Sequence, residues 1–215
     1  ASGEALGVAL EAARLVTACA ARPVARRAAP ANSLETLAGI LGEGIGSRLY
    51  HRLRERLGAS YAPQSWVVDR RHARALIACT RAETRRAGEA LKTLRATIDD
   101  LRVTPPSPSE LARVRAIQSA RERAAHSSVR GAMATLHRSL ARDRPFEIPV
   151  RRGVFASAAA PAPAASPRPA GVEEIRRLAD RIMRAERWRI VLTGPPRAMR
   201  AAARQVGLEL RPFRP

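Results

Sequence analysis

The chain has 215 residues, 46% of them hydrophobic but only 3% aromatic, and a formal net charge of +20. The length suits one large or two small domains, and a core built from Leu, Val, Ile and much Ala is thin enough for a partner to help it. No apolar run approaches the ~20 residues needed to span a bilayer; the positive charge is spread as arginine doublets without interleaved aromatics, which argues against a nucleic-acid interface.

Residues 1–12 read as a small-residue lead-in with weak helical character and are left unassigned. Arg14 to Ala20 alternates as a strand, ended by Arg22-Pro23. Asn32 followed by Glu35 reads as a capping box for a helix carrying Leu34, Leu37, Ile40 and Leu41. That helix stops at Gly42, where positive φ suits a helix C-terminus, and a Gly44-Ile45-Gly46 turn follows. Ser47 caps a second helix, with Leu49, Tyr50, Leu53 and Leu57 on one side and its end at Gly58. Arg54 lies in the last turn and Tyr61 just beyond.

Gln64 to Asp69 and Ala73 to Thr80 form a hairpin through Arg70-Arg71-His72. From Glu83 to Leu101 the positions Ala87, Leu91, Leu94, Ile98 and Leu101 step by 4, 3, 4 and 3, one face of a helix that should lie on the sheet. Ser107-Pro108-Ser109-Glu110 opens a long helix, with Leu111, Val114 and Ile117 as a first apolar stripe, Val129, Met133, Leu136 and Leu140 as a second, and a bend at Gly131. The Ala/Pro-rich stretch at 146–170 is a linker or surface loop between the main part, 13–145, and a closing helix-strand-helix, 171–212. Within that last part Val172, Ile175, Leu178 and Ile182 mark a helix, Trp188 to Thr193 a central strand, and Gly194-Pro195-Pro196 the turn into a helix ending near Gly207.

Several chemistries lack their residues. Thr193-Gly194-Pro195-Pro196 lacks the Lys and further Gly of a phosphate loop, and its prolines remove N–H donors. No two of His51, His72, His126 and His137 are spaced to ligate one metal from a helix face, and neither H-x-x-E-H nor G-x-S-x-G occurs. Cys19 and Cys79 each fall inside a strand and read as buried thiols; a disulfide needs adjacent strands and an oxidising compartment. No charged-then-apolar leader opens the chain, and the compartment, bacterial periplasm or cytoplasm, is left open.

One stretch is more specific. Gly42, Ser47-Arg48-Leu49-Tyr50, Arg54-Glu55-Arg56-Leu57-Gly58 and Tyr61, with the later Pro108-Ser109-Glu110-Leu111 helix opening, resemble the non-catalytic half of the pitrilysin/insulinase zinc metallopeptidases, in the group of the mitochondrial processing peptidase. The resemblance implies an α+β fold, a single antiparallel-to-mixed sheet with helices packed on one face, as in half-units of the LuxS/processing-peptidase type. It also implies a substrate-binding half that binds no cofactor itself, its zinc being held by a partner subunit or domain bearing the H-x-x-E-H motif. Arg54 and Tyr61 would contact the peptide substrate and its transition state, and Gly42, Gly44 and Gly46 would form a loop contact, although Glu43 interrupts the usual glycines. The alternative within the same family is a structural subunit that only scaffolds a complex.

Overall fold

A computed structural model of the chain describes residues 4–142 and 170–213. The elements are β1 (Glu4–Ala9), β2 (Leu15–Pro23), α1 (Ala31–Gly42), a π-helical segment (Tyr50–Arg56), β3 (Gln64–Asp69), β4 (Arg74–Glu83), α2 (Ala87–Val103), α3 (Pro108–His126), α4 (Val129–Arg142), α5 (Val172–Ile182), β5 (Arg189–Gly194), α6 (Pro196–Gln205) and β6 (Glu209–Pro212). The strands form one six-stranded sheet in the order β3-β4-β2-β5-β1-β6. Pairing is antiparallel from β3 through β5 and parallel from β5 through β1 to β6, so the sheet is mixed, as the sequence leads one to expect.

Alternation along the strands decides which face is covered. Val16, Ala18, Ala20, Leu76, Ala78, Ile190 and Leu192 are buried, and α1, α2 and α6 lie against the sheet, with α3 and α5 outside them on α1 and α2. All five positions of the 4-3-4-3 series on α2 are buried, with Leu34, Leu37, Ile40 and Leu41 of α1. The other face leaves Thr17, Cys19, Ile77 and Val191 half-buried and Val8 and Trp66 exposed.

Two approaches fix α1 on the edge strand β3. A Cβ on Gly42 would stand 2.6 Å from the backbone nitrogen of Ser65, and the Ser65 hydroxyl donates to the Ala38 carbonyl at 2.8 Å, buried. At the far end of the β3–β4 hairpin Asp69 and Arg74, 2% and 6% exposed, form a forked ion pair at 3.1 and 3.2 Å, and Arg74 also donates to the Ala29 carbonyl at 2.7 Å.

Several expectations are corrected. Residues 4–9 are not helical lead-in but β1, paired on both sides, and β6 was not foreseen; both strands are short, and the small or polar residues of β1 carry no strong local signal. α1 starts one residue before Asn32, behind Pro30, and no side chain caps it; proline's fixed φ places the first turn. Gly42 is the last helical residue and does not take positive φ; it is needed for the close approach to β3, while Gly44 and Gly46 take φ of 68° and 84°. The long helix breaks at Ser127-Ser128, not at Gly131, and Val129, Met133 and Leu140 of α4 are exposed. The linker assigned to 146–170 lies outside the described residues apart from Ala170, which is buried.

Cys19 and Cys79 are not free thiols. They stand directly opposite in the β2–β4 register and are joined by a disulfide. A pairing between strands 60 residues apart has no local signature, so the sequence leaves it open.

Two measurements check this frame. Gly42→Ala is expected to lose about 3 kcal/mol in chemical denaturation, because its methyl meets backbone; Gly44→Ala, with nothing within 4 Å but φ of 68°, is expected to lose about 1 kcal/mol. Alkylation of the unfolded, unreduced chain is expected to label neither cysteine and to label both after reduction, and Cys19→Ser is expected to cost about 4 kcal/mol for a loop of this length.

Candidate functional site

The stretch from Gly42, the last residue of α1, to the start of β3 carries the site residues singled out by the sequence. Glu43 leaves the helix, Gly44 and Gly46 turn the chain at positive φ, and Ile45 between them is 75% exposed. Arg113 of α3 donates to the Glu43 and Gly39 carbonyls at 2.7 and 3.0 Å, and Arg121 pairs with the Glu43 carboxylate. Glu43, which departs from a run of glycines, therefore ties the turn to α3. The turn stands over the guanidinium stem of Arg113, whose Cδ would lie 3.1 Å from a Cβ on Gly46.

Ser47 caps the helical segment after the turn: its Oγ accepts weakly from the Tyr50 N–H at 3.4 Å and donates to the Gly44 carbonyl at 2.8 Å. The helix then widens, with the Leu57 N–H reaching back five residues to the Arg52 carbonyl at 3.1 Å. Such π turns recur at functional sites because they re-aim side chains. Leu49 and Leu53 are fully buried, Leu57 half-buried, and the pair His51–Glu55 faces outward.

Arg48 fixes this segment against the start of α3. Its Nε and Nη2 hold the Glu110 carboxylate at 2.7 and 3.0 Å, and Nη1 reaches Asp100 at 3.2 Å. It also donates to the Thr104 and Pro105 carbonyls past the end of α2, at 2.9 and 3.1 Å. Glu110 closes the capping box with Ser107 foreseen from sequence. Burial pushes the Glu110 carboxyl up, but the hydrogen bonds from Arg48 and the Ser107 backbone, with the Arg48 charge, outweigh it and leave it below the ordinary value.

The geometry of Arg54 and Tyr61 is the centre of the site. Arg54 Nη1 donates to the Tyr61 carbonyl at 2.9 Å, and its Cζ lies 4.3 Å from the Tyr61 ring centroid and 5.2 Å from that of Tyr50. The guanidinium thus stands between two aromatic rings, an arrangement worth about 0.5–1 kcal/mol per contact at an exposed site. Tyr61 sits in the bend before β3, not in a strand, and is 80% exposed. What the sequence could not show is that the backbone of Tyr61, as well as its ring, holds Arg54. Leu57 and Gly58, at the end of the segment, have their carbonyls held by Arg86 at 2.5 and 3.1 Å. Among the described residues no group of three or more His, Cys, Asp or Glu could hold a metal ion, and no helix is long and apolar enough to cross a membrane.

The fold, one mixed sheet with helices on one face, can be compared with known proteins. Residues 17–118 match the family model of the peptidase M16 inactive domain. The fold is similar to that of the peptidase M16 inactive domain from Pseudomonas fluorescens (TM-score 0.65, 16% identity, 90% of this chain and 44% of that one). It is also similar to a protease from Helicobacter pylori (TM-score 0.67, 15% identity, 90% and 44%). A third likeness is the inactive peptidase domain of a putative zinc protease from Bordetella parapertussis (TM-score 0.61, 19% identity, 86% and 96%). The chain spans 44% of the length of the first two. None of the curated proteins matches the sequence.

The pH dependence of the Arg48–Glu110 contact has a definite sign. A carboxyl whose pKa is lower folded than unfolded contributes stability in full above its unfolded value, about 4.3, and loses it as pH falls through the folded value. Glu110→Gln is therefore expected to lower Tm at pH 7 and to narrow its gap from wild type in acid below about pH 4.3, followed by thermal melts across that range.

Proposed function

We propose that this chain is the substrate-contacting, non-catalytic half of a zinc-dependent peptidase, working with a zinc-bearing subunit or domain that carries the H-x-x-E-H motif. The observation that carries the reading is the Arg54–Tyr61 pair. The guanidinium is oriented by the Tyr61 carbonyl and two rings, while the tyrosine stands 80% exposed. One N–H of Arg54 is used on that carbonyl, which leaves a forked cationic donor beside a phenolic O–H.

Aimed at peptide carbonyl oxygens, those two groups supply charge-assisted hydrogen bonds to the substrate backbone and stabilise the negative charge that develops on the scissile carbonyl. The exposed Ile45 at the tip of the 44–46 turn adds an apolar contact for the same peptide, and Gly44 and Gly46 let the chain turn tightly enough to present it. The uncovered face of the sheet would form a wall of the chamber enclosing that peptide. The zinc and the general base belong to the other half, and no step of bond cleavage is assigned to residues of this chain.

The test is peptide hydrolysis with this chain alone, its zinc-bearing neighbour alone, and the two mixed. Activity confined to the mixture, with kcat/KM reduced roughly 10²-fold by Tyr61→Phe, is the expected result for a donor to developing charge. Activity of the neighbour alone, unchanged by this chain or by the substitution, would leave a scaffold subunit as the better reading.

A further inference from the structure

The end of the sheet away from Tyr61 holds a second group of donors, which the peptidase reading does not use. β2 and β5 run antiparallel with Ala21 opposite Arg189, so the next residues along, Arg22 and Trp188, face each other. Both continue the alternation of Ala20 and Ile190 and project to the helix-covered side of the sheet. Trp188 is 5% exposed, and its indole Nε1 has no hydrogen-bond partner among the described residues. The Nε of Arg22 is likewise buried without a partner among the described residues. Burial, and then the charge of Arg187, hold the Arg22 guanidinium below its ordinary value. By the strand register this corner lies roughly 20 Å from the Arg54–Tyr61 site.

Such an arrangement is unusual on two counts. Buried N–H groups in folded proteins are nearly always bonded, and here two donor-only groups on facing strand positions are not. The positive charge of Arg187 also bears on Arg22, and among the described residues no hydrogen bond answers the Arg22 Nε–H. One kind of ligand answers both: a negatively charged group that only accepts hydrogen bonds. We propose that the corner formed by Arg22, Trp188 and Arg187 is a binding site for a small oxoanion, with Arg22 Nε–H and Trp188 Nε1–H as donors and Arg187 supplying further positive charge.

The chain contains two tryptophans, so Trp66→Phe leaves Trp188 as the single indole. In that full-length background the indole N–H resonance of Trp188 is followed as inorganic phosphate is added, against sodium chloride at matched ionic strength. A saturable downfield shift with phosphate and none with chloride is expected, with a parallel rise in Tm. Acetate in a third titration distinguishes the source: saturation by acetate at lower concentration than phosphate assigns the site to carboxylates, and the reverse order to phosphates. Arg22→Met is expected to abolish saturation, and Arg22→Lys, which keeps the charge but loses the Nε–H, to weaken it at least several-fold while preserving the melt. A response to phosphate no different from that to chloride, or saturation unchanged in Arg22→Lys, would overturn the proposal.

Discussion

The contact between the end of α1 and the edge strand β3 sets where every residue of the candidate site stands. Gly42 is packed so closely on the backbone of Ser65 that no side chain fits between them, and the Ser65 hydroxyl holds the Ala38 carbonyl one turn earlier. With both ends of the 43–63 connection fixed this way, the turn, the π-helical segment and the bend at Tyr61 must fit into a short span. The wider π winding uses up residues over less length and brings Tyr50, Arg54 and Tyr61 together. The Cys19–Cys79 disulfide closes a loop that contains this whole region, from α1 through β3, so the site sits inside a covalent ring.

Arginine has a structural role that its even spread through the sequence conceals. Helix ends leave carbonyls without partners, and a cationic side chain there satisfies both the lone pairs and the dipole. Arg113 does this for α1, Arg48 beyond α2, Arg86 for the π-helical segment, and Arg95 for the end of α6 through the Val206 carbonyl at 2.8 Å. Each of these comes from a different element than the one it caps. Arg85 and Arg177 are exposed and pair with near neighbours in the chain, whereas the partner of a long-range cap cannot be read from such neighbours.

Legibility in the sequence followed the range of the interaction. The α2 stripe, the Ser107–Glu110 capping box and the β3–β4 hairpin were plain, since each is written within a few residues. The Ser47-to-Tyr61 stretch was legible as a resemblance, and the structure adds the contact between Arg54 and Tyr61 that spacing alone left open. What stayed hidden was non-local: β1 and β6, the cysteine register, the buried Asp69–Arg74 pair behind an apparently polar turn, and the reason for Gly42. The π winding was missed for another reason: its apolar positions, Leu49 and Leu53, fit an ordinary helix equally well.

The placement of β1 constrains the order in which the fold is made. Among the described residues β1 pairs only with β5 and β6, whose residues begin at Arg189, whereas β2, β3 and β4 find their partners within the first 83 residues apart from the β2–β5 seam. On a ribosome the hairpin and its disulfide-linked neighbour can assemble while β1 waits, its edge unsatisfied, for more than a hundred and fifty further residues. Closure of such a distant pair is entropically slow. The parallel half of the sheet is therefore the last to zip, and a nascent chain stalled before β5 would expose an unpaired strand to its neighbours.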